Sequence, residues 1–131
     1  MNTFLPFSSF KKSAKCLDYR RLGKQRVECM QLLMALLTGE PKRIRNHPAC
    51  KMWENHTYAL YLYSMDVCNE WISRGYKDSV KQKIENIYER LIANQVFVFD
   101  IKNLSSEMPP WLGNRTFHSA YRSNLLRKDP K

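Results

Sequence analysis

The chain has 131 residues, of which 44% are hydrophobic and 12% aromatic, and it carries a net charge of +10 at neutral pH. That is the length of one domain with enough apolar side chains for a core, which excludes a disordered chain. No run of about 18 apolar residues occurs to cross a membrane, and the opening Met1-Asn-Thr-Phe-Leu-Pro6 lacks the basic start of a signal peptide.

The charge is uneven. Residues 1–51 hold eleven Lys/Arg against Asp18, Glu28 and Glu40, a net of +8, and the other eighty residues net +2. A concentrated positive field suits phosphate backbones or anionic membrane surfaces. The basic segment lacks an opposite face of Trp or Phe, which disfavours the membrane. Cys16, Cys29, Cys50 and Cys68 form no CxxC pair. They read as reduced, mostly buried thiols of a cytoplasmic protein, nucleoid-associated if bacterial.

In chain order, Thr3-Phe-Leu-Pro-Phe7 is expected to be extended, because Pro6 disfavours helix before it. Ser8 or Ser9 caps a short helix over about residues 9–16. Asp18 reads as the N-cap of a long helix that ends at Thr38-Gly39. Its second half, from Cys29 to Leu37, is apolar nearly all round and must be buried. Its first half carries Arg20, Arg21, Lys24 and Arg26, too basic to be buried unpaired. Gly23 weakens this helix by about 1 kcal/mol relative to Ala and admits a close partner.

Glu40 to Asn46 reads as a basic loop holding Lys42, Arg43 and Arg45. Pro48 suits the first turn of a second helix. Ala49, Met52, Trp53, His56, Leu60, Tyr63, Val67 and Trp71 continue it at helical spacing to Gly75, with a break or kink near Asn55. Asp78 or Ser79 caps a third helix, with Val80, Ile84, Ile87, Tyr88 and Leu91 on one face. Val96-Phe-Val-Phe99 reads as a short strand or a buried extended segment. Pro109-Pro-Trp-Leu-Gly113 is a stiff turn, and a last helix spans about Arg115 to Arg127 with Phe117, Tyr121 and Leu125 inward. The fold class is all-α: one compact bundle of about three long helices plus short ones, a single domain over residues 1–131.

Several side chains carry a functional reading beside a structural one. Asp18, Arg21 and Glu28 share one helix face. Glu28 is either catalytic or paired to Lys24 or Arg21, and Asp18 is either catalytic or simply the cap. His47, before a helix N-terminus, suits phosphate contact or proton transfer, or a helix-entry turn. His118 is structural or a phosphate contact. Trp111 either stacks on or wedges between bases, or closes the core under a loop. Arg122, near Arg115 and Arg127, contacts phosphate or lies on a solvated face. His47, Cys50 and His56 have no second ligand pair, so neither metal nor cofactor is expected.

The chain resembles the pyrimidine-dimer DNA glycosylases of the phage endonuclease V type, and is most similar to their bacterial relatives. The resemblance rests on Thr3-Phe-Leu-Pro6, on Leu17-Asp-Tyr-Arg-Arg-Leu-Gly-Lys-Gln-Arg-Val-Glu28 and on Asn46-His-Pro-Ala49. It extends through Tyr63 to Tyr76, Pro109-Pro-Trp-Leu112 and His118 to Pro130. It implies an α-helical domain with the N-terminal segment threaded between helices. It implies a glycosylase with AP-lyase activity, acting on double-stranded DNA with a damaged or modified pyrimidine, as a monomer. The implied nucleophile is the chain's own α-amine, whose ordinary pKa of about 8 leaves a useful neutral fraction at pH 7. The implied base is a carboxylate.

Three departures from the phage pattern shape the site. Residue 2 is Asn, before which Met is expected to be retained, so the free amine belongs to Met1. Arg21 stands where the phage enzymes have their glutamate, which leaves Glu28 or Asp18 for the role, with Glu28 preferred. The phage aromatic tail has no counterpart before Lys131. Expected DNA contacts are Arg20, Arg21, Lys24, Arg26, Lys42, Arg43, Arg45, His47, Trp111, His118 and Arg122. The alternatives are a non-catalytic DNA-binding module on the same scaffold, or a nucleic-acid glycosylase with a substrate other than a dimer.

Overall fold

The structure is a computed structural model that describes residues 1–94 and 108–128. Seven helices occupy them: α1 Phe10–Lys15, α2 Tyr19–Thr38, α3 Lys42–Arg45, α4 Pro48–Lys51, α5 Thr57–Ser73, α6 Val80–Asn94 and α7 Arg115–Lys128. No strand occurs among the described residues. Val96–Phe99 lies outside them. Nor is any described helix long and apolar enough to cross a membrane.

Local chemistry sets most boundaries. Ser9 accepts a hydrogen bond from the Lys12 N–H and starts α1. The Asp18 carboxylate accepts from the Arg20 and Arg21 N–H groups and starts α2. Gly39 ends that helix at φ 80°, its N–H bonded to the Ala35 carbonyl. Asp78 starts α6 by accepting from Val80 and Lys81.

Two expectations need correction. The helix foreseen from Pro48 to Gly75 with a break near Asn55 is two helices: the break is there, with Asn55 at φ 68°, but it is a full turn from Met52 to His56 rather than a kink. Trp53 and His56 belong to that turn, not to a continuous stripe. The basic segment after α2 is not wholly loop, since Lys42–Arg45 makes a single helical turn.

The core forms where α2 crosses α5 and α6. Leu22, Cys29, Leu32, Leu33, Leu36 and Leu37 of α2 meet Leu60, Tyr63 and Val67 of α5 and Ile84 of α6, all without solvent contact. Burial on this scale drives the fold. Thr3, Phe4, Leu5 and Pro6 are buried as well, so the N-terminal segment runs as an extended thread through the bundle. Three helices hold its backbone. Gln25 of α2 takes Asn2 and Phe4, Tyr63 of α5 reaches the Phe4 carbonyl at 2.7 Å, and the α7 residues His118 and Arg122 reach the Leu5 and Pro6 carbonyls, each at 2.7 Å.

Candidate active site

The thread delivers Met1 to the middle of α2. Its α-amine nitrogen lies 3.8 Å from Oε2 of Glu28. Glu28 is almost wholly buried, with 9% of its side chain exposed. Met1 covers its side chain and keeps its backbone end at the surface. The amine and the carboxylate open into a cleft of about 390 Å³ that is also lined by Asn2, Phe4, Arg21 and Lys24. A primary amine, a carboxylate and two cations therefore face one space.

The thread is fixed by a polar network inside an apolar bundle. Gln25 is fully buried. Its Oε1 accepts the Phe4 N–H at 2.8 Å and its Nε2 donates to the Asn2 carbonyl at 2.7 Å. The Tyr63 hydroxyl, 2.9 Å from the same Oε1, shares its single proton between Gln25 and the Phe4 carbonyl. Trp53 Nε1 donates to the Thr3 hydroxyl at 3.0 Å. Burial pushes the Tyr63 phenol well above its ordinary pKa, so it stays a donor.

Asp18 is engaged elsewhere. It caps α2 and pairs with Arg21 at 2.6 Å. Burial alone would raise its pKa; the bonds from the Arg21 side chain and from the Arg21 and Arg20 backbone outweigh that and hold it below the usual carboxylate value. It lines a neighbouring cleft of about 290 Å³ with Pro6, Phe7, Cys16 and Arg122, and Arg21 borders both clefts.

The residues expected to contact DNA divide by environment. Arg20, Lys24, Lys42, Arg43 and Arg122 are exposed, and Arg21 borders the clefts. Others turn inward. Arg26 pairs with the buried Asp78 and lies 4.3 Å above the Trp71 ring. Arg45 is buried and pairs with Glu54 at 3.3 Å. His47 Nδ1 accepts the Ala49 N–H and caps α4. Buried His118 accepts the Gly113 N–H on Nε2, so Nδ1 carries the proton given to the Leu5 carbonyl. Trp111 packs edge-on against Trp53 at 4.9 Å and donates to the Met52 carbonyl, closing the core under its turn. Arg26, Arg45, His118 and Trp111 are thus occupied within the protein. For Arg26, Arg45 and His118 the reason is an acceptor within the fold; for Trp111 it is an aromatic neighbour.

Sequence reasoning missed Asn2, Gln25 and Tyr63. The signal for Gln25 was present: it sits one turn after Leu22 and one before Cys29, a polar residue on an apolar stripe.

A family model described as pyrimidine dimer DNA glycosylase matches residues 1–84. No curated protein and no solved structure matches the chain. The matched span holds Met1, Gln25, Glu28 and every residue that lines their cleft. On that match, the chain belongs to the pyrimidine dimer DNA glycosylase family.

Proposed function

We propose that the protein is a DNA glycosylase with AP-lyase activity, acting on pyrimidine-dimer lesions in double-stranded DNA, with the Met1 α-amine as nucleophile and Glu28 as base. The observation that carries this reading is the amine held 3.8 Å from a nearly buried carboxylate in an open, cation-lined cleft. The family match supports the substrate class.

The amine nitrogen bonds to C1′ of the damaged nucleotide. The C1′–base bond breaks and the base leaves with its electron pair, taking a proton. Opening of the sugar ring makes C1′ an iminium bound to Met1. Glu28 accepts a proton from C2′, and those electrons expel the 3′ phosphate. Water then releases the unsaturated aldehyde and regenerates the amine. A carboxylate suits the C2′ proton because the iminium acidifies it, and Arg21 and Lys24 bordering the cleft suit the departing phosphate. The lesion must leave the base stack to reach such a cleft.

Borohydride reduction tests the chemistry. On an abasic duplex the protein should form a covalent adduct, and acetylation of Met1 should abolish it, because an amide nitrogen forms no Schiff base. An adduct that survives the blocked amine would move the nucleophile to a lysine such as Lys24. A duplex bearing a pyrimidine dimer should be incised where an undamaged duplex is not.

A further inference from the structure

Gln25 makes demands that packing alone does not explain. A leucine on that stripe would fill the space without polar atoms to satisfy, and a buried amide is costly unless it is hydrogen-bonded. Both ends of this amide are bonded, and each end bonds the thread: Oε1 to the Phe4 N–H, beside the Tyr63 hydroxyl, and Nε2 to the Asn2 carbonyl. Residues 2 and 4 present these groups on one edge of an extended chain, as they would to a neighbouring strand. Gln25 therefore reads the thread in a single register. Glu28 stands one turn further along the same helix. Slipping the thread by one residue would move the amine by about 3.3 Å and turn the wrong backbone groups toward Gln25.

We propose that Gln25 is the positioning residue that sets the reacting amine against Glu28 by fixing the register of the thread. This rests on the reading of the Met1 amine as nucleophile. Gln25 has no solvent contact and meets no DNA, so it acts through the thread alone. The Tyr63 hydroxyl fixes its amide from α5. The ionisable groups around position 25 are the Met1 amine, Glu28 and Tyr63, with Cys29 and Tyr121 beside Tyr63 and with Arg21 and Lys24 across the cleft.

Three variants test this, each read by the single-turnover rate of borohydride trapping on an abasic duplex, by DNA affinity, and by hydrogen exchange at the Phe4 amide. Gln25→Met keeps the volume and removes both bonds. Its trapping should slow by about 10²-fold, the cost of a misplacement on the order of 1 Å, while DNA affinity holds and Phe4 exchange quickens. Gln25→Glu supplies a pH signature. As a carboxylate it cannot donate to the Asn2 carbonyl; protonated, it has one donor and one acceptor and copies the amide. Burial and Glu28 favour the protonated form, and the Met1 ammonium opposes it. Its rate relative to the unaltered protein should therefore rise as pH falls. Ile84→Ala, in the core between α2 and α6, loses stability without touching the thread and should trap normally.

Full-rate trapping by Gln25→Met, a Gln25→Glu rate that is lowered yet does not recover as pH falls, or an equal loss in Ile84→Ala would each overturn the positioning role and leave the nucleophile intact. Absence of trapping in the unaltered protein would overturn the nucleophile, and this proposal with it. Should Gln25→Met not fold, the pH series of Gln25→Glu decides alone.

Discussion

Asp18 and Glu28 carry the same charge in different surroundings, and substitution should separate them. Asp18 holds two N–H groups at a helix start and the Arg21 guanidinium. Asp18→Ala should lower stability by about 1 kcal/mol, a typical N-cap loss, with trapping retained. Its carboxyl is held below its unfolded value, so its stabilisation is present above the unfolded pKa of about 3.9 and is lost as pH falls through the lower folded value. Thermal unfolding of Asp18→Asn and the unaltered protein should therefore converge in acid. Glu28→Gln should do the reverse, folding normally and cleaving an abasic strand about 10²-fold more slowly or worse. Full lyase activity in Glu28→Gln would move the base to another group. The thiols give a simpler check. Cys29, Cys50 and Cys68 are buried and Cys16 is exposed, and burial raises the thiol pKa of Cys68 to about 12. A thiol reagent should label one cysteine quickly in the folded protein and four after denaturation.

At the scale of elements, α2 is two helices in one. From Cys29 onward it is core. Before that it alternates between cations that face solvent and cations held by the protein. Lys24→Ala with Arg43→Ala should flatten the salt dependence of DNA binding by about 0.9 log units for each phosphate no longer neutralised. Arg26→Ala should instead lower the melting temperature, because it strands Asp78 and uncovers Trp71. A salt slope untouched by the first pair would remove this face from the DNA interface. Gly23 has a partner too. A Cβ there would lie 3.0 Å from the Trp71 ring, so the close neighbour that a mid-helix glycine admits is the protein's own indole. Periodicity and capping residues made α1, α2, α6 and α7 legible in the sequence, and so was a break near Asn55, while the even spread of apolar positions hid that Trp53 and His56 lie in the turn itself. Which arginines would turn inward was not legible. That depends on acids distant in sequence, such as Asp78 for Arg26, and spacing along one helix carries no record of them. Glu28 stood out because an acid closes a basic run; Gln25 did not, because its partners are backbone groups of the thread.

The whole molecule depends on one shared core. Leu33 has no solvent contact in the half of α2 that α5 and α6 cover. Leu33→Asp should abolish folding, seen as loss of helical circular dichroism, since it would bury an unpaired carboxylate. Arg20→Ala, on the exposed face, should leave unfolding nearly unchanged. A larger loss from Arg20→Ala would reverse the assignment of the two halves of α2.

The thread also imposes an order on assembly. The groups that hold the Leu5 and Pro6 carbonyls belong to His118 and Arg122, more than a hundred positions later. Local helices can form as they emerge, while contacts between distant positions must wait for the chain to close on itself. The seating of Leu5 and Pro6 therefore waits for α7. Pulse labelling during refolding should show the Phe4 amide becoming protected after those in the middle of α2.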